Sequence, residues 1–136
     1  MSSVVSGVAQ PVAQSVAIGR GGLAAPPVGY GAAALGNLYR ALGDDEWPGI
    51  VPAAWAGGIR YFDVAPHYGL GLAERRLGES LRQLPRDEYI VSTKVGRLLV
   101  PQDAAGRTDI DNLFDVPADH RRVQAVSYTH LRAHET

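Results

Sequence analysis

Short strand-like runs alternate with helical segments along the middle of the chain, and this order constrains the fold more than any other feature. Runs typical of strands occupy 28–31, 59–62 and 89–91. The two segments between them place apolar residues at helical spacing, namely Ile50, Val51, Ala54 and Trp55 in the first and Leu77, Leu81 and Leu84 in the second. Strands and helices in this order predict parallel strands joined by right-handed crossovers, and hence an α/β fold.

Two shorter segments precede the first of these strands. Residues 1–16 lack the basic start of a signal peptide, and Pro11 interrupts their apolar stretch, so we predict a flexible N-terminal extension. After it, Ala17-Ile18 and Leu23-Ala24 flank Gly19-Arg20-Gly21-Gly22, a spacing that is typical of a small β-hairpin.

The composition narrows the classes of function. The 136-residue chain has a formal net charge of -1 and no run of Lys or Arg. The sequence therefore predicts no basic surface that would bind nucleic acid or an anionic membrane. It contains no cysteine, which excludes disulfides and thiolate metal sites and suits a reducing cytoplasm. We therefore expect a cytoplasmic protein that acts on a small molecule, with no metal site, no nucleic acid partner and no membrane. The oligomeric state stays open.

Polar residues follow the second and third predicted strands. Asp63 and Tyr68 lie in the motif at 61–69, and Lys94 lies in the motif at 91–96. The carboxyl ends of parallel strands meet at one edge, where barrel enzymes keep their chemistry. A phenol, with an ordinary pKa of about 10, is a poor acid or base at neutral pH unless a cation stabilises its phenolate. At about 4 Å and an effective dielectric of about 20, the Coulomb attraction between an ammonium and the phenolate is of order 4 kcal/mol. A carboxylate on the other side of the ammonium would keep the ammonium charged.

Taken one at a time, these residues also have ordinary structural interpretations. A tyrosine before a glycine often belongs to a turn, an aspartate often caps a helix, and a lysine after a strand is often only solvated. We expect His67 to point away from Tyr68, because neighbours on an extended segment face opposite sides. Gly69 and Gly71 precede a helix but complete no phosphate-binding pattern. Spacing alone leaves the catalytic and structural interpretations open.

The motifs around these residues resemble those of the aldo-keto reductase family, over about Ala17 to Ala125. The matching segments are Gly29-Tyr30-Gly31-Ala32-Ala33, Gly58-Ile59-Arg60-Tyr61-Phe62-Asp63, Tyr68-Gly69, Ala73-Glu74-Arg75-Arg76-Leu77-Gly78 and Ser92-Thr93-Lys94-Val95-Gly96-Arg97. The resemblance implies a (β/α)8 TIM barrel that binds NAD or NADP without a Rossmann domain and transfers hydride to or from a carbonyl or hemiacetal carbon.

The same resemblance implies roles for individual residues. Tyr68 would be the general acid/base, Lys94 the group that stabilises its phenolate, and Asp63 the partner of the lysine near the cofactor. Gly31 and Ala32 are expected to line the nicotinamide side together with Asp63.

Two further segments, 35–40 and 112–117, resemble the aldose branch of the family, the L-fucose or D-threo-aldose 1-dehydrogenases. That branch implies oxidation of a sugar or aldehyde substrate, with an aldose converted at C1 to a lactone, or the reverse carbonyl reduction. Two alternatives stay open. One is an aldo-keto reductase that acts on pyridoxal or other aldehydes, and the other is a non-catalytic NADP-binding regulatory subunit.

The C-terminal region leads us to expect an incomplete barrel. The polar segment 102–122 is predicted to be a long loop that could cover the site. The family has a catalytic histidine after its fourth strand, and the histidines near the end of this chain do not replace it. Residues 126–136 resemble one reading frame of a transposase sequencing adapter, so we expect read-through there. Residues 17–125 would then form a partial aldo-keto reductase domain of about three β/α units, inactive by itself.

Overall fold

The computed structural model describes residues 14–101, 114 and 123–127. The strands are β1 Val16–Ile18, β2 Leu23–Ala25, β3 Tyr30–Gly31, β4 Tyr61–Asp63, β5 Ile90–Ser92, β6 Arg97–Pro101 and β7 Val123–Ser127. The helices are α1 Ile50–Ala56 and α2 Leu72–Leu81, with short 3-10 helices at Ala32–Gly36, Trp47–Gly49 and Arg86–Glu88. Most of the predicted extension, of the predicted 102–122 loop and of the 126–136 tail lies outside the described residues.

The strands β3, β4 and β5 form a parallel sheet in that order, which confirms the predicted α/β arrangement. In register, Gly31 lies opposite Asp63, and Asp63 lies opposite Ser92. The last residues of all three strands are therefore side by side. We call this row, made of Gly31, Asp63 and Ser92, the carboxyl edge.

The first strand of this sheet is shorter and more exposed than predicted. Only Tyr30–Gly31 pairs with β4, whereas the buried strand predicted from sequence covered 28–31, and Val28 is 63% exposed. The strand β3 is hydrogen-bonded on one side only within the described sheet, which limits how much of it the sheet can bury. The prediction was right in position and wrong in length and burial.

Both prolines of the first helical segment occupy positions that tolerate them. Pro48 lies in the 3-10 turn Trp47–Gly49, and Pro52 is the third residue of α1. The backbone N–H groups of a first helical turn have no intrahelical acceptor, so a proline there removes no hydrogen bond. The helix ends at Ala56, and Gly57 caps it by donating its backbone N–H to Ala53 O.

The second helix covers the sheet with one apolar face. Its buried apolar residues are Leu72, Ala73, Leu77 and Leu81. The helix ends at Leu81 rather than at the predicted Leu84, because the backbone tightens there into turns with Gln83 N–H to Ser80 O and Leu84 N–H to Leu81 O. Beneath it lies Phe62, which is fully buried and makes edge-to-face contacts with Tyr30 and Tyr89, each at 6.3 Å between ring centroids.

A buried arginine joins α2 to the segment after β3. Arg76 is 7% exposed, and its Nη1 donates to Leu35 O at 3.1 Å and to Asn37 Oδ1 at 2.7 Å. Asn37 Oδ1 also accepts the backbone N–H of Leu42 at 3.1 Å. We call these four residues the Arg76 cluster. Their hydrogen bonds hold residues 35–42 against the helix.

Two antiparallel hairpins flank the parallel sheet along the chain. The pair β1–β2, with Ile18 opposite Leu23, confirms the predicted small hairpin. The pair β6–β7 was not predicted, because its strands are far apart in sequence and carry no turn signal between them. The strand β7 crosses the boundary drawn after residue 125, and that boundary stays a prediction. Within the described residues, no helix is long and apolar enough to cross a membrane.

Candidate active site

An ion pair stands at the carboxyl edge. Lys94 Nζ lies 2.6 Å from Asp63 Oδ2 and also donates to Val64 O at 3.3 Å. Asp63 is the last residue of β4, and Lys94 follows β5. The parallel register therefore brings together two residues that are far apart in sequence. The side chains are 39% and 48% exposed respectively, so solvent screens their attraction and both groups are open to a ligand.

The ion pair shifts both pKa values. The hydrogen bond from Lys94, and after it the hydrogen bond from Ser92, holds the pKa of Asp63 below its ordinary value, while partial burial opposes the shift. The hydrogen bond to Asp63 is the main cause that raises the pKa of Lys94, with a smaller contribution from Tyr68. Lys94 therefore stays charged beside an ionised carboxylate through the neutral range.

The third predicted residue joins this pair. Tyr68 lies on the turn between β4 and α2, and Lys94 Nζ lies 5.2 Å from the centroid of its ring. The structure thus brings Asp63, Tyr68 and Lys94 together at one edge of the sheet, as the strand-end motifs predicted. The ammonium of Lys94 therefore lies between the Asp63 carboxylate, which it contacts, and the Tyr68 ring, which it faces.

Two glycines determine where Tyr68 lies. A Cβ atom at Gly36 would lie 2.6 Å from Tyr68 C and 2.7 Å from Tyr68 O. At Gly69, whose φ is +63°, a Cβ atom would lie 2.5 Å from Gly36 O. The two backbones touch because neither residue has a side chain. Sequence reasoning missed this contact, since nothing local links position 36 to position 69.

The turn also differs from the extended segment assumed for His67 and Tyr68. Both rings contact Phe114, which stacks on Tyr68 with 5.9 Å between centroids and meets His67 edge-on at 6.1 Å. The expectation that the two side chains point to opposite faces is wrong, because residues 66–71 form turns rather than a strand. Phe114 is 5% exposed and packs on Tyr68 and His67, while the rest of the predicted 102–122 loop lies outside the described residues.

A cavity of about 260 Å³ opens beside the tyrosine and the lysine. Its lining residues are Ala65, Pro66, His67, Tyr68, Lys94 and Val95. Drug-sized ligands generally occupy roughly 300–1,000 Å³, so this space suits the reacting end of a small molecule.

The two residues expected beside a nicotinamide have different surroundings. Gly31 lies on the carboxyl edge next to Asp63, is exposed, and has open space where a Cβ atom would be. A flat ring could approach there, so Gly31 and Asp63 fit a nicotinamide cofactor. Ala32 is fully buried in the hydrophobic core, so its placement does not support the expected cofactor contact, which stays a prediction.

Metal ligation finds no support in the part of the chain that the structure describes. No group of three or more His, Cys, Asp or Glu side chains there could hold a metal ion. The chemistry of the edge is that of a carboxylate, an ammonium and hydroxyl groups.

Comparison with known proteins places these features in a family. The model of the aldo/keto reductase family matches residues 27–128. D-threo-aldose 1-dehydrogenase of Pseudomonas sp is 59% identical over 103 residues, which cover 74% of this chain and 31% of that protein. Pyridoxal 4-dehydrogenase of Microbacterium luteolum is 46% identical over 92 residues, which cover 68% of this chain and 26% of that protein.

A solved structure agrees with the sequence matches. The glycerol dehydrogenase of Gluconobacter oxydans aligns with a TM-score of 0.51 at 25% identity, over 78% of this chain and 28% of that one. The chain spans less than a third of the length of each of these proteins. This chain therefore belongs to the aldo/keto reductase family, and its α/β fold is part of that family's (β/α)8 barrel.

Proposed function

We propose that the protein containing this chain is an NAD(P)-dependent oxidoreductase that oxidises an aldose at C1 to a lactone, or catalyses the reverse carbonyl reduction. One observation carries the proposal. The Lys94 ammonium lies 2.6 Å from Asp63 and 5.2 Å from the Tyr68 ring centroid, on an accessible edge of a parallel sheet. A cation beside the phenol supports this role, because it would stabilise the phenolate that forms when the proton is transferred.

In the oxidative direction, the Tyr68 oxygen accepts the proton of the anomeric hydroxyl. Lys94 stabilises the phenolate form that accepts it, and Asp63 keeps Lys94 charged and aimed at the ring. A bound nicotinamide would supply the hydride chemistry at C1. In the reductive direction, the Tyr68 hydroxyl gives its proton to the carbonyl oxygen, and Lys94 again stabilises the charge left behind.

The site has room for both reactants around the tyrosine. The cavity beside Tyr68 and Lys94 would receive the reacting carbon of the substrate. The open edge at Gly31 and Asp63 would receive the nicotinamide ring of NAD or NADP. These two places adjoin the same ion pair, so substrate and cofactor would meet beside the proton carrier.

The choice of an aldose rests on similarity. D-threo-aldose 1-dehydrogenase shares 59% of the aligned residues, against 46% for pyridoxal 4-dehydrogenase. An aldose of L-fucose or D-threo type is therefore the preferred substrate class. Pyridoxal is the second candidate, because that relative also covers more than half of this chain.

Replacement of Tyr68 by Phe in the complete gene product tests the mechanism. We expect kcat with L-fucose and related aldoses to fall by at least about 10²-fold, the usual contribution of a positioned general acid or base. Fluorescence titration with NAD and NADP should show binding unchanged, because the ring remains. Tyr39→Phe is the matched control, since Tyr39 is 79% exposed and does not line the cavity beside Tyr68.

Each result has a distinct meaning. A near-normal rate in Tyr68→Phe would refute the proton-transfer assignment. Turnover of pyridoxal but of no aldose would move the proposal to the second substrate class. Binding of NAD or NADP without turnover of any tested carbonyl or sugar would favour a non-catalytic, cofactor-binding regulatory subunit.

A further inference from the structure

The carboxylate of Asp63 is held by two donors, and only one of them belongs to the proposed proton-transfer groups. Oδ2 accepts Lys94 Nζ at 2.6 Å. Oδ1 accepts the hydroxyl of Ser92, also at 2.6 Å. Ser92 lies directly opposite Asp63 on β5, so the sheet register itself brings the hydroxyl to the carboxylate.

The direction of the next hydrogen bond follows from donor counting. Tyr61 OH lies 2.9 Å from Ser92 Oγ. A serine hydroxyl has one hydrogen, and a carboxylate can only accept, so the Ser92 hydrogen points to Asp63. Ser92 must then accept a hydrogen bond from Tyr61. The hydrogen bonds therefore run from Tyr61 through Ser92 to Asp63, and Lys94 donates to the other oxygen of Asp63.

We propose that Ser92 is a positioning residue that orients the Asp63 carboxylate toward Lys94 and thereby keeps the Lys94 ammonium against Tyr68. The inference rests on the proposed function. Ser92 does not line the cavity beside Tyr68, so it acts through Asp63 rather than by touching substrate. With Ser92 on Oδ1 and Lys94 on Oδ2, both oxygens hold the carboxylate in one orientation, whereas Lys94 alone would leave the carboxylate freer to rotate.

The hydrogen bond also supports the ionised form of Asp63. It is the second cause, after Lys94, of the lowered pKa of that carboxyl. The titratable groups around Asp63 are Lys94, which contacts it, Tyr68, which Lys94 faces, and Tyr61, which bonds Ser92. Loss of the Ser92 hydroxyl therefore moves the pKa of Asp63 upward.

The test compares Ser92→Ala and Ser92→Thr in the complete gene product. For Ser92→Ala we expect kcat to fall roughly tenfold, the scale of a partly solvated hydrogen bond to a charged group, with KM little changed. The acid limb of the kcat/KM profile should move to higher pH. Ser92→Thr keeps the hydroxyl and suits a strand, so it should recover most of the rate.

Thr93→Ala is the matched control. Thr93 is the next residue, but its hydroxyl donates to Glu74 Oε1 at 2.8 Å on the side away from Asp63. It should behave as wild type in kcat and in pH profile. Comparison with Ser92→Ala therefore distinguishes the effect of removing a hydroxyl near the end of β5 from the effect of losing the Ser92–Asp63 hydrogen bond.

Three results would overturn the inference. The first is a wild-type kcat and acid limb in Ser92→Ala. The second is an equal loss in Ser92→Thr, which would show that packing rather than the hydroxyl matters. The third is an equal loss in Thr93→Ala. If Tyr68→Phe is inactive in these cases, the proposed function stands and only the role of Ser92 fails.

A further variant keeps the test decisive if Ser92→Ala does not fold. Ser92→Cys nearly preserves the side-chain shape, but a thiol is a weak donor. A lower kcat with a displaced acid limb in Ser92→Cys supports the inference, and wild-type behaviour overturns it. A wild-type rate in Tyr68→Phe would instead refute the proposed function, and the inference with it.

Discussion

Two cationic side chains of this protein, Lys94 at the carboxyl edge and Arg76 on α2, are held in opposite ways. Lys94 is half exposed and pairs with a carboxylate, which raises its pKa. Arg76 is 7% exposed and donates to two neutral oxygens, Leu35 O and Asn37 Oδ1, while burial lowers its pKa. The charge of Lys94 is accessible to a ligand, whereas that of Arg76 is buried and stabilises the fold.

This contrast shows how a charge that stabilises the fold is distinguished from one that can take part in chemistry. Both residues lie in segments that resemble the same family, so the motifs do not show which charge is structural and which is chemical. The exposure of each side chain and the type of its hydrogen-bond partner make that distinction. The two regions are also connected, because the segment that Arg76 holds contains Gly36, whose backbone touches that of Tyr68. The hydrogen bonds of Arg76 therefore help to position Tyr68 at the carboxyl edge, through the segment that contains Gly36.

The largest expected effect comes from breaking that connection. Gly36→Ala should lower the free energy of unfolding by roughly 3 kcal/mol, because its Cβ atom would lie 2.6 Å from a backbone carbon that cannot move aside alone. Urea denaturation of the complete protein measures the change. Gly78→Ala is the control, since a Cβ atom there meets nothing within 4 Å and alanine in a helix should stabilise by about 0.5–1 kcal/mol. Equal stability of the two variants would contradict the contact.

Removal of the buried charge should have the next largest effect. Arg76→Met should cost roughly 2 kcal/mol of unfolding free energy, because Leu35 O and Asn37 Oδ1 lose a charged donor while most of the side-chain volume stays. Arg82→Met, at the exposed residue that follows the last residue of α2, should change stability by less than about 0.5 kcal/mol. If the two variants unfolded alike, Arg76 would not hold the segment after β3.

The smallest change in stability is expected at the edge, where activity should suffer most. Asp63→Asn should lower the unfolding free energy by less than about 1 kcal/mol, because solvent screens the half-exposed pair. It should nevertheless lower kcat by roughly 10²-fold, since Lys94 loses its anchor. Glu46→Gln, which breaks the exposed Arg40–Glu46 pair, should leave kcat unchanged.

The pH dependence of stability provides a second readout of the same variant. The pKa of Asp63 is lowered in the folded protein, so its contribution is present above its ordinary value of 3.8 and is lost as the pH falls through the lower folded value. Asp63→Asn should therefore lose less stability than wild type between pH 5 and pH 3. Identical acid profiles would mean that the ion pair does not form in solution.

Much of the site was predictable because its residues follow directly from local patterns. Asp63 and Lys94 stand just after short apolar runs, and parallel pairing places strand ends at one edge regardless of the details of packing. Tyr68 was predicted by its motif. Ser92 was overlooked as a contact, although its register opposite Asp63 follows from the same parallel pairing.

Other features gave no sequence signal that could have been used. The partners of the β6–β7 hairpin are separated by a long polar segment, so no turn pattern links them. Phe114 contacts Tyr68 and His67 from within a segment predicted as a loop, and nothing in its neighbours marks it as buried. Such contacts depend on how distant segments pack.

Local sequence patterns were enough to predict the alternation of strands and helices, the parallel order of the sheet, the strand-end positions of Asp63 and Lys94, and the family to which they point. These features follow from periodicity and turn chemistry, which act over a few residues. The folded structure was needed to show that Arg76 is buried, that Gly36 and Gly69 touch, that Ala32 lies in the core, and that Ser92 anchors Asp63. Those facts depend on which side chains meet across the fold, where close packing and desolvation, rather than local preference, set the energy.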